Sequence, residues 1–236
     1  AALAEGDARD LLIEGFDPDA QILERVVATT GERTVRAFLD ALASDAPVPG
    51  GGAAAAVAAA AGAALVGMVA ALTVDKEGYE EARDRMGSIR AAATEARAAL
   101  LDLADRDGEA FEAVMAAFAL PKASDEEKAR RTAAIQDALR GAAAVPLETV
   151  RRAAPLLALA EEALRTGNTN AASDALSGAE LLAAGMRSAA ANVRINAASL
   201  RDRAVADALV GEVDGLLASA EATLATIRST FPDRLG

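Results

Sequence analysis

A run of twenty residues without a charge, from Ala53 to Leu72, limits the folds that are open to this chain. Fourteen of the twenty are alanine or glycine. Alanine is the best helix former and loses no side-chain entropy in a helix. Over the whole chain, alanine accounts for 66 of 236 residues, whereas aromatic residues make up only 3%. The composition therefore predicts closely spaced helices and argues against a β-sandwich or barrel, whose pleated faces need β-branched and aromatic side chains.

The same run is long enough to cross a bilayer core of roughly 30 Å. Its side chains are only weakly hydrophobic, however, and it has no flanking Trp or Tyr belt and no Lys/Arg asymmetry. A helix that is apolar on all sides also suits the centre of a helical bundle. We therefore favour a bundle helix over a membrane span. The N-terminus shows no basic region followed by a short apolar core, and we expect a cytoplasmic protein.

The chain contains neither cysteine nor histidine. This excludes disulfides, thiol nucleophiles and cysteine-ligated metals, and it removes the commonest general base and transition-metal ligand. Any catalysis must use carboxylates, Lys, Ser/Thr, Asn and backbone dipoles, and we expect no metal. The net charge of −12 disfavours binding to nucleic acid or to an anionic membrane. An anionic substrate would need a local cluster of cations.

Helix boundary signals predict an all-α bundle of about eight helices around the Ala/Gly-rich helix. No segment alternates apolar and polar residues in the manner of a strand. The predicted helices cover residues 34–43, 53–72, 80–105, 107–118, 125–144, 146–167, 171–199 and 202–230. Residues 1–32 are expected to be a lead-in or linker with a further helix start at Asp17-Pro18, and 33–236 the helical domain.

The first candidate site is Pro49-Gly50-Gly51-Gly52-Ala53, directly before the alanine helix. Free backbone N–H groups and the positive end of the helix dipole would suit an anionic or electron-rich ligand group. Glycine also lets a chain turn tightly and pass close to another helix, so a purely structural role is equally open. The segment is neither a Walker loop nor a dinucleotide fingerprint, because no strand precedes it.

The second candidate is Gly167 to Asp174, with two asparagines, a serine and an aspartate within a few residues. Asn170 is predicted to cap the following helix, and Asp174 lies in the first turn, where the helix dipole favours a carboxylate. Capping accounts for much of this pattern. Capping does not require all of these short polar side chains, and the remainder, which include Asn168 and Ser173, are able to bind a heterocycle.

The third candidate is the pair Asn192 and Asn196, one turn apart on one helix face. Asp174 and Asn192 share a stripe of the same predicted helix, but they lie ~27 Å apart along its axis. The two side chains therefore cannot reach one reacting atom from the same helix. Either one of them is structural, or a second subunit or another part of the ligand is involved.

Lys122 and Asp107 are the remaining candidates. Lys122 is one of three lysines among 24 basic residues and follows Pro121 between two predicted helices. It either projects into a cleft or is an exposed loop charge. Asp107 stands at a predicted helix start, where aspartate is ordinarily an N-cap.

Ten short segments that include these candidates occur in a fixed order over residues 34–230. They are Phe38-Leu39, Pro49 to Ala53, Met68-Val69, Leu72-Thr73, Asp107 to Phe111, Leu120 to Lys122, Val145 to Leu147, Gly167 to Asn170, Ser173-Asp174 and Asn192 to Asn196. In this order they resemble the cyclodeaminase/cyclohydrolase family. The ordered set is highly specific, although no single segment is decisive. Ala53 departs from the family, whose members often carry serine there, so a hydroxyl at that position is not required.

The resemblance implies an all-helical enzyme of one-carbon metabolism that acts on tetrahydrofolate as a homodimer or larger assembly. Cyclodeaminases of the family convert 5-formimidoyltetrahydrofolate to 5,10-methenyltetrahydrofolate and ammonia, a step of histidine degradation, and this is the activity we expect. Relatives hydrolyse the methenyl group to 10-formyltetrahydrofolate, so a cyclohydrolase is the alternative. A non-catalytic folate-binding or assembly module is a further alternative. No cofactor beyond the folate substrate is implied.

The resemblance also implies roles for individual residues. Asp107 and Asp174 are the expected acid/base carboxylates, with Lys122 as proton donor or electrostatic partner. The expected substrate-binding residues are Gly50, Gly51, Gly52, Asn168, Asn170, Ser173, Asn192 and Asn196. Lys76 and Arg194 are expected to bind the anionic glutamate tail. The lead-in is similar to the end of a formimidoyltransferase domain, which is the partner domain that we expect upstream.

Overall fold

The computed structural model describes residues 34–235, and every regular element within that range is helical. The α-helices are α1 (Val35–Leu42), α2 (Gly51–Val74), α3 (Arg83–Ala119), α4 (Asp125–Thr166), α5 (Ala172–Ala198) and α6 (Arg203–Thr230). Short 3-10 turns cover Glu80–Ala82, Thr169–Ala171 and Phe231–Arg234. The all-α prediction is confirmed. The helix start predicted at Asp17-Pro18 lies outside the described residues.

The described part of the chain has six α-helices, fewer than the eight predicted, because two predicted breaks are absent. Helix α3 runs through Asp107-Gly108, and α4 runs through Pro146. Proline inside a helix removes a backbone hydrogen bond. Pro146 is nevertheless buried between Val145 and Leu147, which are also buried, so packing on both sides of the proline holds α4 in one piece.

Helices α2 to α5 form an antiparallel four-helix bundle in which α2 packs against α3 and α5. The fifth long helix, α6, lies along α4 and α5 and is joined to them by ion pairs such as Arg228–Glu180 and Arg151–Glu212. Among the described residues, 34–46, which include α1, form a unit separate from residues 47–235, which contain this bundle. Thr34 caps α1 by accepting a hydrogen bond from the Ala37 N–H at 2.9 Å.

Glycine allows α2 and α5 to touch through their backbones. A Cβ atom on Gly62 would lie 2.7 Å from the carbonyl oxygen of Gly178, and one on Gly185 would lie 2.7 Å from that of Ala55. Real Cβ atoms do not come this close, so these positions exclude any larger residue without a shift of the helices. The small residues of both helices therefore serve a close interhelical contact.

Helix α2 is long and apolar enough to span a membrane by length and composition, and it is the one such helix within residues 34–235. Half of the most apolar stretch of this helix is buried inside the bundle. The other side, which includes Ala61, Met68 and Leu72, is exposed. The Ala/Gly-rich helix is thus a bundle member with one open face, and it is not enclosed on all sides as predicted.

Candidate active site

Asp107 joins the middle of α3 to the beginning of α2. Its Oδ2 accepts a hydrogen bond of 3.0 Å from the Ala53 N–H, one of the backbone groups that have no intrahelical acceptor at the start of a helix. The prediction that Asp107 caps its own helix is wrong, because α3 is continuous through this residue. Asp107 instead caps its neighbour, α2.

Two of the three glycines before α2 meet site residues. A Cβ atom on Gly52 would collide with the carboxylate of Asp107, so glycine is required there by close approach. A Cβ atom on Gly51 would lie 3.6 Å from Nδ2 of Asn192, an ordinary contact. The side chains of Asp107 and Asn192 thus converge on the start of α2, where the N–H groups of Gly51 and Gly52 have no intrahelical acceptor. We call Gly51, Gly52, Asp107 and Asn192 the glycine end.

The Asp107 carboxyl is set up as a base. Burial raises its pKa, and the hydrogen bond from Ala53 opposes this by favouring the ionised form. Its second oxygen, Oδ1, accepts no hydrogen bond from the residues that the structure describes. A half-buried carboxylate with one oxygen held and one free is suited to accept a proton from a reacting group.

An exposed apolar stripe continues from Asp107 along α3. Phe111, Met115 and Phe118 follow at helical spacing and are all exposed. Exposed aromatic and thioether side chains provide flat, polarizable surface of the kind that packs against a heterocycle. This stripe was not predicted, although large apolar residues four and three positions apart on a charged helix are visible in the sequence.

The two asparagines of α5 differ in their partners. Nδ2 of Asn192 donates to the Ser188 carbonyl at 3.0 Å within its own helix, and the residue lies beside Gly51. Nδ2 of Asn196 donates to the Ala142 carbonyl at 2.9 Å and so links α5 to α4. Asn196 therefore has a structural hydrogen bond, whereas Asn192 belongs to the glycine end.

At the other end of α2, Asn168 fixes the start of α5. Its N–H donates to Thr73 Oγ1 at 2.9 Å, its Nδ2 donates to the Leu72 carbonyl at 3.4 Å, and its Oδ1 accepts from the Asn170 N–H at 3.1 Å. The predicted cap, Asn170, is wrong. Asn168 is the capping residue, and it caps the 3-10 turn that leads into α5, because its buried position lets it reach α2 at the same time.

The polar residues that follow Asn168 are open to a ligand. Asn170 and Ser173 are exposed, and Asp174 is half-buried in the first turn of α5. Within the described residues, the side chains of these three form no hydrogen bond or ion pair. We call Asn168, Asn170, Ser173, Asp174 and the adjacent Tyr79 the asparagine end.

Tyr79, the only tyrosine of the chain, is a candidate site residue that was not predicted from the sequence. Its hydroxyl lies 3.2 Å from Thr169 Oγ1 and accepts a hydrogen bond of 3.1 Å from the Thr169 N–H. These hydrogen bonds lower the pKa of Tyr79, with smaller contributions from Arg234 and Lys76. The uniqueness of this residue was the signal available in the sequence.

A cleft of about 600 Å³ adjoins Tyr79. Its lining includes Arg85, Arg165 and Arg234 together with Glu81 and Glu162. Arg85 forms a bidentate pair with Glu162, at 2.6 and 2.5 Å. Arg234 donates to the Gly167 carbonyl at 2.9 Å, while its Nε is buried without a partner. Arg165 pairs with Glu161, so Arg234 is the arginine of this lining that forms no ion pair with the described residues.

The glycine and asparagine ends lie far apart in a single chain. Gly51 and Thr73 stand near opposite ends of one unbroken helix, ~33 Å apart at 1.5 Å per residue. Asp174 and Asn192 likewise stand near opposite ends of the unbroken α5, as expected from their spacing. The structure therefore divides the predicted site residues into two groups.

The predicted cations are also dispersed. Lys122 is exposed in the segment after α3, whose last residue lies ~18 Å along the helix from Asp107. Arg194 pairs with Asp214 at 2.5 Å, which neutralises its charge. Lys76 is half-buried near Tyr79. No group of three or more acidic side chains within residues 34–235 is placed to hold a metal ion.

Comparison with known proteins gives consistent matches. Residues 34–215 match the family model described as formiminotransferase-cyclodeaminase. A methenyltetrahydrofolate cyclohydrolase from Methylorubrum extorquens is 45% identical over 205 residues, which cover 87% of this chain and 99% of that protein. A formimidoyltransferase-cyclodeaminase from Rattus norvegicus is 32% identical over 177 residues, which cover 72% of this chain but 33% of that protein.

A solved structure agrees with these matches. The crystal structure of formiminotetrahydrofolate cyclodeaminase from Thermotoga maritima superimposes with a TM-score of 0.77 at 34% sequence identity. The match covers 86% of this chain and 98% of that one. The family model spans most of the bundle and a relative aligns over nearly its whole length. The chain therefore belongs to the formiminotransferase-cyclodeaminase family.

Proposed function

We propose that this protein is a tetrahydrofolate enzyme and that it hydrolyses 5,10-methenyltetrahydrofolate to 10-formyltetrahydrofolate. The observation that carries the proposal is the half-buried Asp107 carboxylate, with one oxygen free, at the glycine-opened start of α2. The Methylorubrum extorquens relative, 45% identical and aligned over 99% of its length, bears the name of this activity.

The reaction needs a base beside the carbon that water attacks. Water adds to the electrophilic carbon between N5 and N10 of the folate, and the Asp107 carboxylate accepts a proton from that water. The bond from the carbon to N5 then breaks, N5 takes the proton from Asp107, and the hydroxyl proton of the adduct goes to solvent. The N–H groups of Gly51 and Gly52 stabilise the negative charge that develops on the attacking oxygen.

In the homodimer that the resemblance implies, folate binding is divided between the glycine end of one chain and the asparagine end of the other, because one chain holds the two ends ~33 Å apart. The exposed stripe of Phe111, Met115 and Phe118 packs against the pterin or the aromatic ring of the folate. Asn170, Ser173 and Asp174 supply polar contacts. The glutamate tail, polyglutamylated or not, lies along the cleft beside Tyr79, where Arg234 and Lys76 form no ion pair with the described residues.

Closure of 5-formimidoyltetrahydrofolate with release of ammonia is the second candidate. It is favoured by the Thermotoga maritima structure, which bears the cyclodeaminase name and matches over 98% of its length. The reacting carbon is the same, and Asp107 would accept the proton of N10 and return it to the leaving nitrogen. The Rattus norvegicus relative also makes a formimidoyltransferase domain a partner to consider, since this chain spans a third of that protein.

A spectroscopic assay with two substrates tests both candidates. Purified protein is mixed with methenyltetrahydrofolate, and the methenyl absorbance is expected to fall faster than in buffer alone. Growth of that absorbance from formimidoyltetrahydrofolate, without its loss in the first assay, would instead support the cyclodeaminase. Tight folate binding with neither reaction would contradict both and indicate a binding module.

A further inference from the structure

The turn that begins the asparagine end is held by side chains from outside it. Residues Thr169–Ala171 form a single 3-10 turn between α4 and α5. A short turn satisfies few of its own backbone N–H groups, so its conformation depends on the groups that accept from them. Oδ1 of Asn168 accepts from the Asn170 N–H at 3.1 Å. The hydroxyl of Tyr79 accepts from the Thr169 N–H at 3.1 Å, which ties the turn to a loop 90 residues earlier in the chain.

The loop after α2 has a fixed backbone on both sides of Tyr79. The Lys76 N–H donates to the Thr73 carbonyl at 3.1 Å, and the Tyr79 N–H donates to the Lys76 carbonyl at 3.2 Å. Gly78 has a φ of 85°, which is in the left-handed region that favours glycine. The Gly78 N–H donates to Oε1 of Glu80 at 2.9 Å. The loop therefore holds the tyrosine ring in one place, at the edge of the cleft of about 600 Å³.

The Tyr79 hydroxyl makes two contacts with one residue of the turn. It accepts from the Thr169 N–H, and it also lies 3.2 Å from Thr169 Oγ1, where either hydroxyl can be the donor. Two contacts restrain both the backbone and the side chain of Thr169. The next residues along the chain include the polar side chains that are open to a ligand: Asn170, Ser173 and Asp174.

The directions of these polar side chains depend on the backbone of the turn. Within the described residues, the three side chains form no hydrogen bond or ion pair of their own. The buried Asn168 already joins the start of α5 to α2 through Thr73. The contacts of Tyr79 lie at the surface, where water competes for the same groups, so they contribute little to the stability of the fold. Their main effect is on the geometry of the turn.

We propose that Tyr79 is a positioning residue for folate binding and acts through its two contacts with Thr169. This role rests on the proposed function. A turn that is already ordered loses less conformational entropy when the ligand binds. Loosening the turn weakens the binding of substrate and transition state alike, so it raises KM and leaves kcat unchanged.

Removing the hydroxyl tests this role. Tyr79→Phe keeps the ring and is expected to raise KM for the folate substrate roughly tenfold, with kcat within about twofold of the wild type. Thr169→Val, which keeps the N–H contact, is expected to raise KM by less, and Thr169→Ser is expected to restore the wild-type KM. The double variant of Tyr79→Phe and Thr169→Val is expected to be no worse than Tyr79→Phe alone, because the Thr169 hydroxyl acts through Tyr79. The matched control is Thr94→Val, which removes an exposed hydroxyl hydrogen bond on α3 and is expected to change neither constant.

Absorbance of the ionised tyrosine reads the contact directly. Tyr79 is the only tyrosine, and the chain has no tryptophan. The Thr169 hydroxyl makes the largest contribution to the lowered pKa of Tyr79. Thr169→Val is therefore expected to raise that pKa toward the ordinary value, while Arg234, Lys76 and the other charged groups around the ring stay the same. An unchanged titration would show that the contact is absent in solution and would overturn the proposal.

The remaining outcomes separate this role from others. An unchanged KM in Tyr79→Phe would overturn the positioning role while the proposed function stood. A fall in kcat at constant KM would overturn it by showing that Tyr79 acts on the reacting atoms, and a loss of helical content would overturn it by showing a folding role. Equilibrium dialysis with tetrahydrofolate is the second measurement. A wild type without turnover would refute the proposed function, but roughly tenfold weaker tetrahydrofolate binding by Tyr79→Phe would retain the positioning role. A wild type that neither turns over nor binds the folate would refute both.

Discussion

Under the proposed function, the Asp107 carboxyl has both a structural and a chemical role. One oxygen accepts the hydrogen bond from Ala53, and the other has no partner among the described residues. Gly52 leaves the room that this arrangement needs. In a chain without histidine, a carboxyl whose pKa is raised by burial is the available way to obtain a stronger base.

The raised pKa of Asp107 predicts the acid limb of the activity. The carboxylate must be ionised to accept a proton, so kcat/KM is expected to rise with pH through a value above the ordinary range of aspartate, about 3.9. Asp107→Asn is expected to lower kcat by roughly 10²–10⁴-fold and to remove this limb. A pH profile of the wild type whose acid limb lies at or below the ordinary aspartate range would contradict the role of Asp107.

The raised pKa of Asp107 also predicts that stability falls with rising pH, whereas activity rises. A carboxyl whose pKa is higher in the folded state than in the unfolded state loses its proton more readily when the chain is unfolded. The free energy of unfolding therefore falls as pH rises from the ordinary pKa through the raised one. Asp107→Asn keeps an acceptor for the Ala53 N–H and removes the charge. Its Tm is therefore expected to exceed that of the wild type at pH 7 and to match it more closely at pH 3. An equal Tm difference at both pH values would show that Asp107 is not destabilised by ionisation.

Gly52 and Gly51 offer a matched pair of substitutions. Gly52→Ala forces its methyl group into the Asp107 carboxylate and is expected to cost about 1–3 kcal/mol of unfolding free energy, with loss of activity. Gly51→Ala meets only Asn192 at an ordinary distance and is expected to change stability by less than about 1 kcal/mol. Urea unfolding of both variants measures the difference. Equal stabilities would show that the Asp107 carboxylate moves aside without cost.

At the scale of elements, the sequence predicted most boundaries correctly. The helices predicted to begin at residues 34, 125 and 202 begin within one residue of those positions, after the capping residues Thr34, Ser124 and Asp202. The predicted helix ends at Asp107 and Pro146 are wrong. Local sequence patterns indicate only local conformational preference, whereas the helices continue there because they pack against other helices. The partner of Asp107 lies on α2, and no local pattern contains that information.

Thr73 connects the end of α2 to the start of α5. Its hydroxyl donates to the Val69 carbonyl at 2.7 Å and accepts from the buried Asn168 N–H at 2.9 Å. Thr73→Val leaves that N–H without a partner and is expected to cost about 1–3 kcal/mol of unfolding free energy. The control is Thr226→Val, because Thr226 makes the same bond to the carbonyl four residues earlier but is more exposed. Equal losses in thermal or urea unfolding would show that the Asn168 contact contributes nothing.

At the scale of the whole molecule, the sequence predicted both groups of candidate site residues and, for Asp174 and Asn192, the distance between them. The spacing of Asp174 and Asn192 already required a second subunit, another part of the ligand or a structural role. Continuity of α2 and α5 confirms that distance within one chain. The open face of α2 could not be predicted in this way, because it becomes visible only once the neighbours α3 and α5 are in place.

Mixed dimers test whether each site takes Asp107 and Asp174 from different chains. We expect Asp107→Asn and Asp174→Asn each to lose turnover as pure proteins. In a dimer of one chain of each kind, one site receives both substitutions and the other receives neither, because each site draws Asp107 and Asp174 from different chains. Random assembly after joint unfolding and refolding should therefore restore about a quarter of the wild-type activity. If each site instead took both carboxylates from one chain, every site would carry a substitution, and the mixture would be no more active than its parents.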